Sequence, residues 1–259
     1  LLAAACRGVP YVPVNYRLDD DQLAALIARQ SGAQVLGDAR TAERLRAKGI
    51  DAIDLDEWLT LAYAAEPLEE PADDEDAIAI VLYTSGTTAE PKAALLRHRH
   101  LMAYLLGTVE YAGAGEDEAV LISVPPYHIA GVANMLSNLF TGRRLVYLTQ
   151  FDPQTWLRAT NDAGVTHAMV VPTMLSRIVD AVERGEPAPA RLRSLSYGGS
   201  KLATSVLERA LVALPTTGFV NAYGLTETAS TIAVLGPDDH RNAVTSDDPA
   251  VRRRLGSAG

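Results

Sequence analysis

Short, uniformly apolar runs alternate with longer stretches in which apolar residues recur every three or four positions, and Gly, Pro and Asp separate them. The first pattern is typical of buried strands and the second of helices. Strands are predicted at residues 8–14, 33–36, 77–82, 119–124, 144–148, 165–171, 195–197, 218–222 and 231–235. Helices are predicted at residues 1–6, 19–32, 40–48, 101–106, 129–140, 152–163, 173–183 and 202–214.

This alternation with short connections predicts an α/β fold with a mainly parallel sheet, or two such sheets packed together. Two segments break the pattern. Residues 66–76 are acidic and contain two prolines, which predicts a solvated connection. Residues 236–259 are polar, carry charges of both signs and show no periodicity, so we expect a loop or a poorly ordered segment.

Charge and composition argue against several classes of protein. A net charge of −9 argues against a nucleic-acid surface, and any anion site must create its own positive potential. The one cysteine, Cys6, excludes an intramolecular disulfide framework and a Cys-based zinc site. No apolar run reaches the roughly 18 residues of a membrane span. A cytoplasmic location is the expectation.

The apolar run at 77–82 leads into ten residues rich in hydroxyl groups, Tyr83-Thr84-Ser85-Gly86-Thr87-Thr88-Ala89-Glu90-Pro91-Lys92. Open α/β sheets bind ligands at such loops, which leave the carboxyl ends of strands. Hydroxyls and backbone N–H groups donate to phosphate oxygens and a Lys adds charge, so the loop indicates a polyphosphate site. It is not a Walker A loop, because Lys92 follows Pro91 and no Ser or Thr comes next. A Ser/Thr-rich surface turn is the alternative.

Two later strand ends carry compatible chemistry. In residues 221–228, Tyr223 can stack on a base, Thr226 can bond a phosphate, and Glu227 can hold Mg²⁺. In residues 196–200, the adjacent Gly198 and Gly199 allow a flat ligand to contact the backbone. The alternatives are a turn with a helix-capping Thr at the first segment and a tight turn into the next helix at the second.

A single histidine, His128, lies between a predicted strand and an apolar helix. It is either a satisfied buried ring or part of an apolar substrate pocket with Tyr127, Gly131 and Met135. No second His or Cys lies near His128 in the sequence, so we do not expect His128 to bind a metal ion. Residues 123–141 contain no Asp or Glu to pair with a substrate ammonium, which favours an apolar acid over an amino acid.

Together these segments resemble the adenylate-forming enzymes, a superfamily of acyl-CoA synthetases, luciferase and the adenylation domains of peptide synthetases. The similar segments follow the family's order and cover nearly the whole chain. They are residues 7–23 (A-G-x-x-x-V-P-x-N-x-R-L), 83–92 (Y-T-S-G-T-T-G-x-P-K-G), 125–131 (P-x-x-H-x-x-G), 165–175 (V-T-x-x-x-x-V-P-T-M-L), 195–202 (G-G-A/S-x-L) and 222–227 (Y-G-x-T-E).

The resemblance implies the large N-terminal domain of an acyl-CoA synthetase, with two packed, mostly parallel sheets and helices between and outside them. It implies that ATP activates a carboxylic acid as an acyl-adenylate, whose acyl group then passes to CoA. We expect a fatty or other apolar acid. An acyl-AMP ligase that passes its product to an acyl carrier protein is the alternative, and a homodimer is a further expectation.

The resemblance also assigns roles to individual residues. The β- and γ-phosphates are cradled by Thr84, Ser85, Gly86, Thr87, Thr88 and Lys92. The adenine site comprises Gly198, Gly199, Ser200, Asn221, Ala222, Tyr223 and Gly224, with Tyr223 stacked on the base. Thr226 contacts phosphate and Glu227 holds Mg²⁺. The acyl pocket is lined by Tyr127, His128, Gly131 and Met135, with His128 near the reacting carboxylate.

Two departures from the family's motifs affect the activity that we expect. Ala89 and Ala93 replace family glycines, and a Cβ is disfavoured if the backbone at Ala89 needs a positive φ. The sequence stops before the family's T-G-D motif and its small C-terminal lid domain, so we expect residues 1–259 to be part of a longer parent. On their own, we expect these 259 residues to bind ATP weakly and to turn over slowly or not at all. A non-catalytic nucleotide- or acyl-binding domain is the alternative from another class.

Overall fold

The computed structural model describes residues 1–84 and 91–258, which form two compact units, 1–95 and 96–259. The helices are α1 (Leu2–Cys6), α2 (Asp20–Ile27), α3 (Ala39–Arg46), α4 (Leu55–Ala64), α5 (His98–Thr108), α6 (Ile129–Phe140), α7 (Pro153–Asp162), α8 (Pro172–Glu183), α9 (Thr204–Ala213), α10 (Pro237–Thr245) and α11 (Pro249–Arg252). The strands are β1 (Val35–Gly37), β2 (Ala52–Asp54), β3 (Ile78–Thr84), β4 (Lys92–Arg97), β5 (Ala119–Ile122), β6 (Arg144–Tyr147), β7 (His167–Val170), β8 (Ser194–Gly198), β9 (Gly218–Leu225) and β10 (Ser230–Leu235). Short 3-10 helices span Thr226–Thr228 and Arg253–Gly256.

The first unit contains two small sheets. Strands β1 and β2 pair in parallel and are connected by α3, and β3 pairs with β4. Carboxylates cap the helices, since Asp19 accepts from the Gln22 N–H at 2.8 Å and Asp38 from the Thr41 N–H at 2.7 Å. Helix α4 and strands β2 and β4 were not predicted from the sequence.

The second unit is built on a six-stranded sheet with the order β10-β9-β8-β7-β5-β6. All of its pairings are parallel except that of β9 with β10. Helices cover the parallel strands, which explains why β5 is buried at all four positions and reads as uniformly apolar. Helices α7, α8 and α9 contribute Trp156, Ile178 and Leu207 to its core. The prediction of an α/β fold is confirmed.

Two predicted segments are wrong. Residues 236–259, expected as loop or poorly ordered, contain α10, α11 and a 3-10 helix. Helix α10 starts with Pro237, and its residues His240 and Ala243 are completely buried. The sequence pattern does not predict this helix, because histidine counts as a polar residue and conceals the buried face. Residues 8–14, predicted as a strand, make one isolated bridge from Tyr11 to Ile80, because Pro10 and Pro13 have no N–H to donate.

Among residues 1–84 and 91–258, no helix is both long and apolar enough to cross a membrane.

Candidate active site

The motifs of the second unit leave one edge of its sheet. Strands β5, β7, β8 and β9 run parallel, so the loops that follow them start at the same carboxyl edge. The histidine segment follows β5, and the two motifs predicted to bind nucleotide span the carboxyl ends of β8 and β9. Because β8 and β9 are neighbours, Gly198 lies directly beside Ala222 in the register.

The two glycines after β8 serve different purposes. A Cβ on the buried Gly198 would lie 2.2 Å from the carbonyl oxygen of Ala222, so its missing side chain makes room for β9. Close packing against β9 is therefore a reason for glycine at position 198 in addition to the ligand contact that the sequence suggests. Gly199 has a φ of +84°, and a Cβ there would meet the Val171 side chain only at 3.9 Å, so conformation rather than space requires glycine. Gly199 and Ser200 are exposed at the sheet edge.

A tight turn closes the end of β9. A Cβ on Gly224 would lie 1.7 Å from the Ser230 carbonyl oxygen, and Ala229 and Ser230 have φ values of 55° and 114°. The Thr228 hydroxyl accepts from the Leu225 N–H at 3.0 Å and donates to the Ser230 carbonyl at 2.8 Å. The turn is therefore held by the protein's own backbone, and Thr228 rather than Thr226 supplies the capping hydroxyl.

The end of β9 and this turn carry the residues predicted to bind nucleotide. Tyr223 is 47% exposed, which leaves a ring face for a base, Thr226 is half-buried and Glu227 is exposed. The described part of the chain contains no group of three or more His, Cys, Asp or Glu residues that could hold a metal ion. Mg²⁺ is commonly held by one or two carboxylates together with substrate phosphates. A lone carboxylate at Glu227 therefore fits Mg²⁺ that arrives with a nucleotide.

The histidine segment forms the start of α6. Tyr127 is buried and His128 is exposed, and their ring centroids lie 4.7 Å apart. The alternative of a buried, satisfied histidine ring is therefore wrong. A Cβ on Gly131 would lie 2.3 Å from the Pro125 carbonyl oxygen, so this glycine lets α6 pack on the preceding loop. Met135, one turn further along the helix, is half-buried.

The predicted phosphate loop belongs to the first unit, and most of it, including Ser85, Gly86, Thr87, Thr88 and Ala89, lies outside the described residues. Its two ends are held by the turn after α2. Gln30 Nε2 donates to the Tyr83 hydroxyl at 2.5 Å, and Arg29 Nη1 donates to the Pro91 carbonyl at 2.8 Å. The Thr84 hydroxyl donates to the Lys92 carbonyl at 3.4 Å. Neither Arg29 nor Gln30 could be predicted as a partner of this loop, because hydrophobic periodicity carries no information about such contacts.

The residues that follow this loop, Lys92 and Ala93, begin strand β4. Lys92 is exposed at the start of β4. Ala93 also lies within β4, exposed and in extended backbone, where any residue is accommodated. The replacement of the family glycine by Ala93 therefore introduces no backbone strain.

Two side-chain contacts behind the nucleotide motifs were also missed. The Tyr197 hydroxyl lies 2.8 Å from His240 Nε2, and His240 Nδ1 lies 2.6 Å from the Gly236 carbonyl. Burial lowers the pKa of His240 and raises that of Tyr197. Asn221, predicted to contact nucleotide, donates through Nδ2 to the Ser257 carbonyl at 2.9 Å.

Comparison with known proteins identifies the family, since residues 1–258 match the family described as AMP-binding enzyme. The chain belongs to this family. A feruloyl-CoA synthase from an Amycolatopsis species is 31% identical over 271 residues, covering 100% of this chain and 50% of the relative. A 2-succinylbenzoate–CoA ligase from Bacillus licheniformis is 36% identical over 164 residues, or 63% of this chain and 33% of the relative. A fatty acid–[acyl-carrier-protein] ligase from Streptomyces coeruleorubidus, ScoC, is 29% identical over 256 residues, or 93% of this chain and 48% of the relative.

Solved structures agree with this AMP-binding family. An O-succinylbenzoate coenzyme A synthetase from Bacillus subtilis in complex with AMP superposes with a TM-score of 0.77 at 26% identity, covering 91% of this chain and 48% of that one. The same synthetase in complex with ATP and magnesium ion gives a TM-score of 0.74 at 25% identity, covering 92% and 49%. The chain thus spans about a third to a half of the length of the curated relatives named above.

Proposed function

We propose that this AMP-binding enzyme supplies the nucleotide and acid sites of a ligase that activates a carboxylic acid with ATP and transfers it to CoA. The observation that carries the proposal is the pairing of Gly198 with Ala222, which places two nucleotide motifs side by side at one sheet edge. The exposed Tyr223 and Glu227 stand at the same edge. Relatives named as CoA ligases and a neighbour in complex with AMP support the assignment.

The reaction needs no protein nucleophile, so catalysis consists of positioning and charge neutralisation. A carboxylate oxygen attacks the α-phosphate and pyrophosphate leaves. The CoA thiol then attacks the acyl carbon, and AMP leaves. In this scheme Tyr223 stacks on adenine, Thr226 donates to phosphate, and Lys92 adds positive charge to the phosphate site. Mg²⁺ held by Glu227 would neutralise phosphate charge.

The acid that the proposal favours is aromatic. Feruloyl-CoA synthase and 2-succinylbenzoate–CoA ligase act, by name, on acids that contain an aromatic ring. Residues 123–141 lack Asp and Glu, and the buried Tyr127 ring lies against His128, which suits a flat, weakly polar acid. A fatty acid with a carrier protein as acceptor is the second candidate, favoured by the similarity to ScoC.

Hydrolysis-resistant acyl-adenylate analogues test the acid without requiring turnover. Binding of cinnamoyl and decanoyl sulfamoyl-adenosine to the chain should be compared by calorimetry, with AMP as the reference. Tighter binding of the cinnamoyl compound supports an aromatic acid, whereas tighter binding of the decanoyl compound supports the fatty-acid candidate. Failure of AMP and both analogues to bind would contradict the nucleotide site itself.

Assays of the longer parent protein test the assigned roles and the non-catalytic alternative. ATP–pyrophosphate exchange should fall strongly in Lys92→Ala and Glu227→Ala, because in the proposed site Lys92 adds positive charge near the phosphates and Glu227 holds the Mg²⁺ that neutralises them. Unchanged exchange in both variants would contradict these roles. Absence of exchange in the wild-type parent with any acid, together with AMP binding, would favour a non-catalytic nucleotide-binding protein. A cytoplasmic location and a homodimer remain part of the proposal.

A further inference from the structure

Two hydrogen bonds connect the nucleotide-binding strand ends to the helical segment 237–256, here called the clamp. Tyr197 on β8 and Asn221 on β9 are register partners, so their side chains share one face of the sheet. Both lie within the motifs at 196–200 and 221–228, directly before Gly198 and Ala222. Tyr197 bonds to His240 of the clamp, and Asn221 bonds to the carbonyl of Ser257, which directly follows it.

The Tyr197–His240 bond has a defined direction. His240 is completely buried and Tyr197 is 2% exposed. The Gly236 carbonyl, 2.6 Å from Nδ1, can only accept, so Nδ1 carries the proton. Nε2 therefore accepts, and the Tyr197 hydroxyl donates to it over 2.8 Å. Removing either group leaves a buried polar partner without its bond, which costs more than the bond contributes when made.

The clamp is itself anchored, and β8 and β9 are in tight contact. Ala243 and Leu255 are buried in the same core as Tyr197 and Phe219. The backbone at Gly198 approaches β9 so closely that no Cβ would fit. A shift of the β8 backbone at Tyr197 and Gly198 would therefore displace the end of β9 as well.

We infer that the clamp positions the nucleotide site, with His240 and Asn221 as positioning residues that hold the β8 and β9 ends and do not touch the nucleotide. This inference rests on the proposed function and revises the role of Asn221, which the sequence placed among the nucleotide contacts. The inference depends on residues 237–245 being helical, because this helix directs the His240 side chain into the core.

Hydroxyl deletion tests the inference. In Tyr197→Phe we expect the dissociation constant of AMP to rise about threefold to tenfold, and hydrogen exchange to accelerate at the amides of Gly199 and Ser200 without ligand. Tyr147→Phe, at the exposed end of β6 in the same sheet, is the matched control and should change neither. At position 240, Gln can place an acceptor near the Nε2 position, whereas Asn reaches only the Nδ1 position. His240→Gln should therefore retain AMP affinity better than His240→Asn.

The outcomes separate the inference from the proposed function. Unchanged exchange at Gly199 and Ser200 in Tyr197→Phe overturns the positioning role, whether or not AMP binds. Acceleration spread evenly over the whole sheet also overturns it, because that result indicates a general loss of stability. A wild-type chain that does not bind AMP contradicts the proposed function, while the exchange measurement still decides whether the clamp holds the strand end.

Discussion

Replacing Gly198 by alanine tests the tightest contact in the candidate site. The added Cβ would lie 2.2 Å from the Ala222 carbonyl oxygen, which is backbone and cannot swing away as a side chain would. Atoms of this kind do not approach closer than 3.0 Å, so the ends of β8 and β9 must separate by about 1 Å. The substitution changes one methyl group at a buried position and introduces no charge.

The expected cost follows from this displacement. Overpacking a tight site by one methyl group costs about 1–3 kcal/mol. Because the strained contact joins the two nucleotide motifs, AMP affinity should fall together with stability. A substitution that altered only a distant part of the sheet would lower stability and leave the affinity of the folded protein unchanged.

Urea unfolding followed by circular dichroism measures the first effect, and calorimetry with AMP measures the second. The urea midpoint should fall without a change in slope, which marks a loss of stability rather than a change in the surface exposed on unfolding. Gly107→Ala is the matched control, since it lies in α5 with no atom within 4 Å of the added Cβ. That control should be neutral or stabilising by up to about 1 kcal/mol. Wild-type stability and AMP affinity in Gly198→Ala would refute the reasoning.

Three further predictions concern binding and pH. Tyr223→Ala should weaken AMP binding by about 1–3 kcal/mol through lost stacking, whereas Tyr223→Phe should bind AMP nearly as tightly as the wild type. If the Ala and Phe variants bind AMP with equal affinity, Tyr223 does not stack on the base. Glu227→Gln should abolish the enhancement of ATP binding by Mg²⁺ and preserve AMP binding, and a retained Mg²⁺ effect in calorimetry would contradict the assignment. Burial lowers the pKa of His240 and His167 below their unfolded value of about 6.5, so the unfolded chain binds more protons as pH falls. The free energy of unfolding should therefore decrease as pH falls below about 6.5. This decrease should be less steep in His240→Gln than in the wild type. An equally steep decrease in that variant would argue against a contribution from His240.

Much of the second unit could be predicted from the sequence, because short strand segments alternate with helical periodicity, and β5 is buried at all four positions and reads as an uninterrupted apolar run. The run at 119–124 contains β5, and the segments at 195–197 and 218–222 lie within β8 and β9. The chemistry of Tyr223 and Glu227 was visible because side-chain type alone suggests stacking and Mg²⁺ binding. Their exposure at the sheet edge agrees with that prediction.

The missed features depend on contacts between residues far apart in the chain. His240 reads as one polar residue in a charged segment, and only the fold brings it to Tyr197, 43 positions earlier. Gly198 reads as a flexible residue, whereas the structure requires it to be small because of β9. Arg29 and Gln30 hold the ends of the phosphate loop across more than 50 residues. Hydrophobic periodicity carries no information about such pairs.

Hydrogen exchange of the wild-type chain with and without AMP tests the central claim most directly. The account predicts that AMP slows exchange at residues 198–200 and 221–227 more than in the rest of the six-stranded sheet. Bound AMP that protects neither segment, or protects only residues away from the carboxyl edge of the sheet, would contradict the claim that these two strand ends form the nucleotide site.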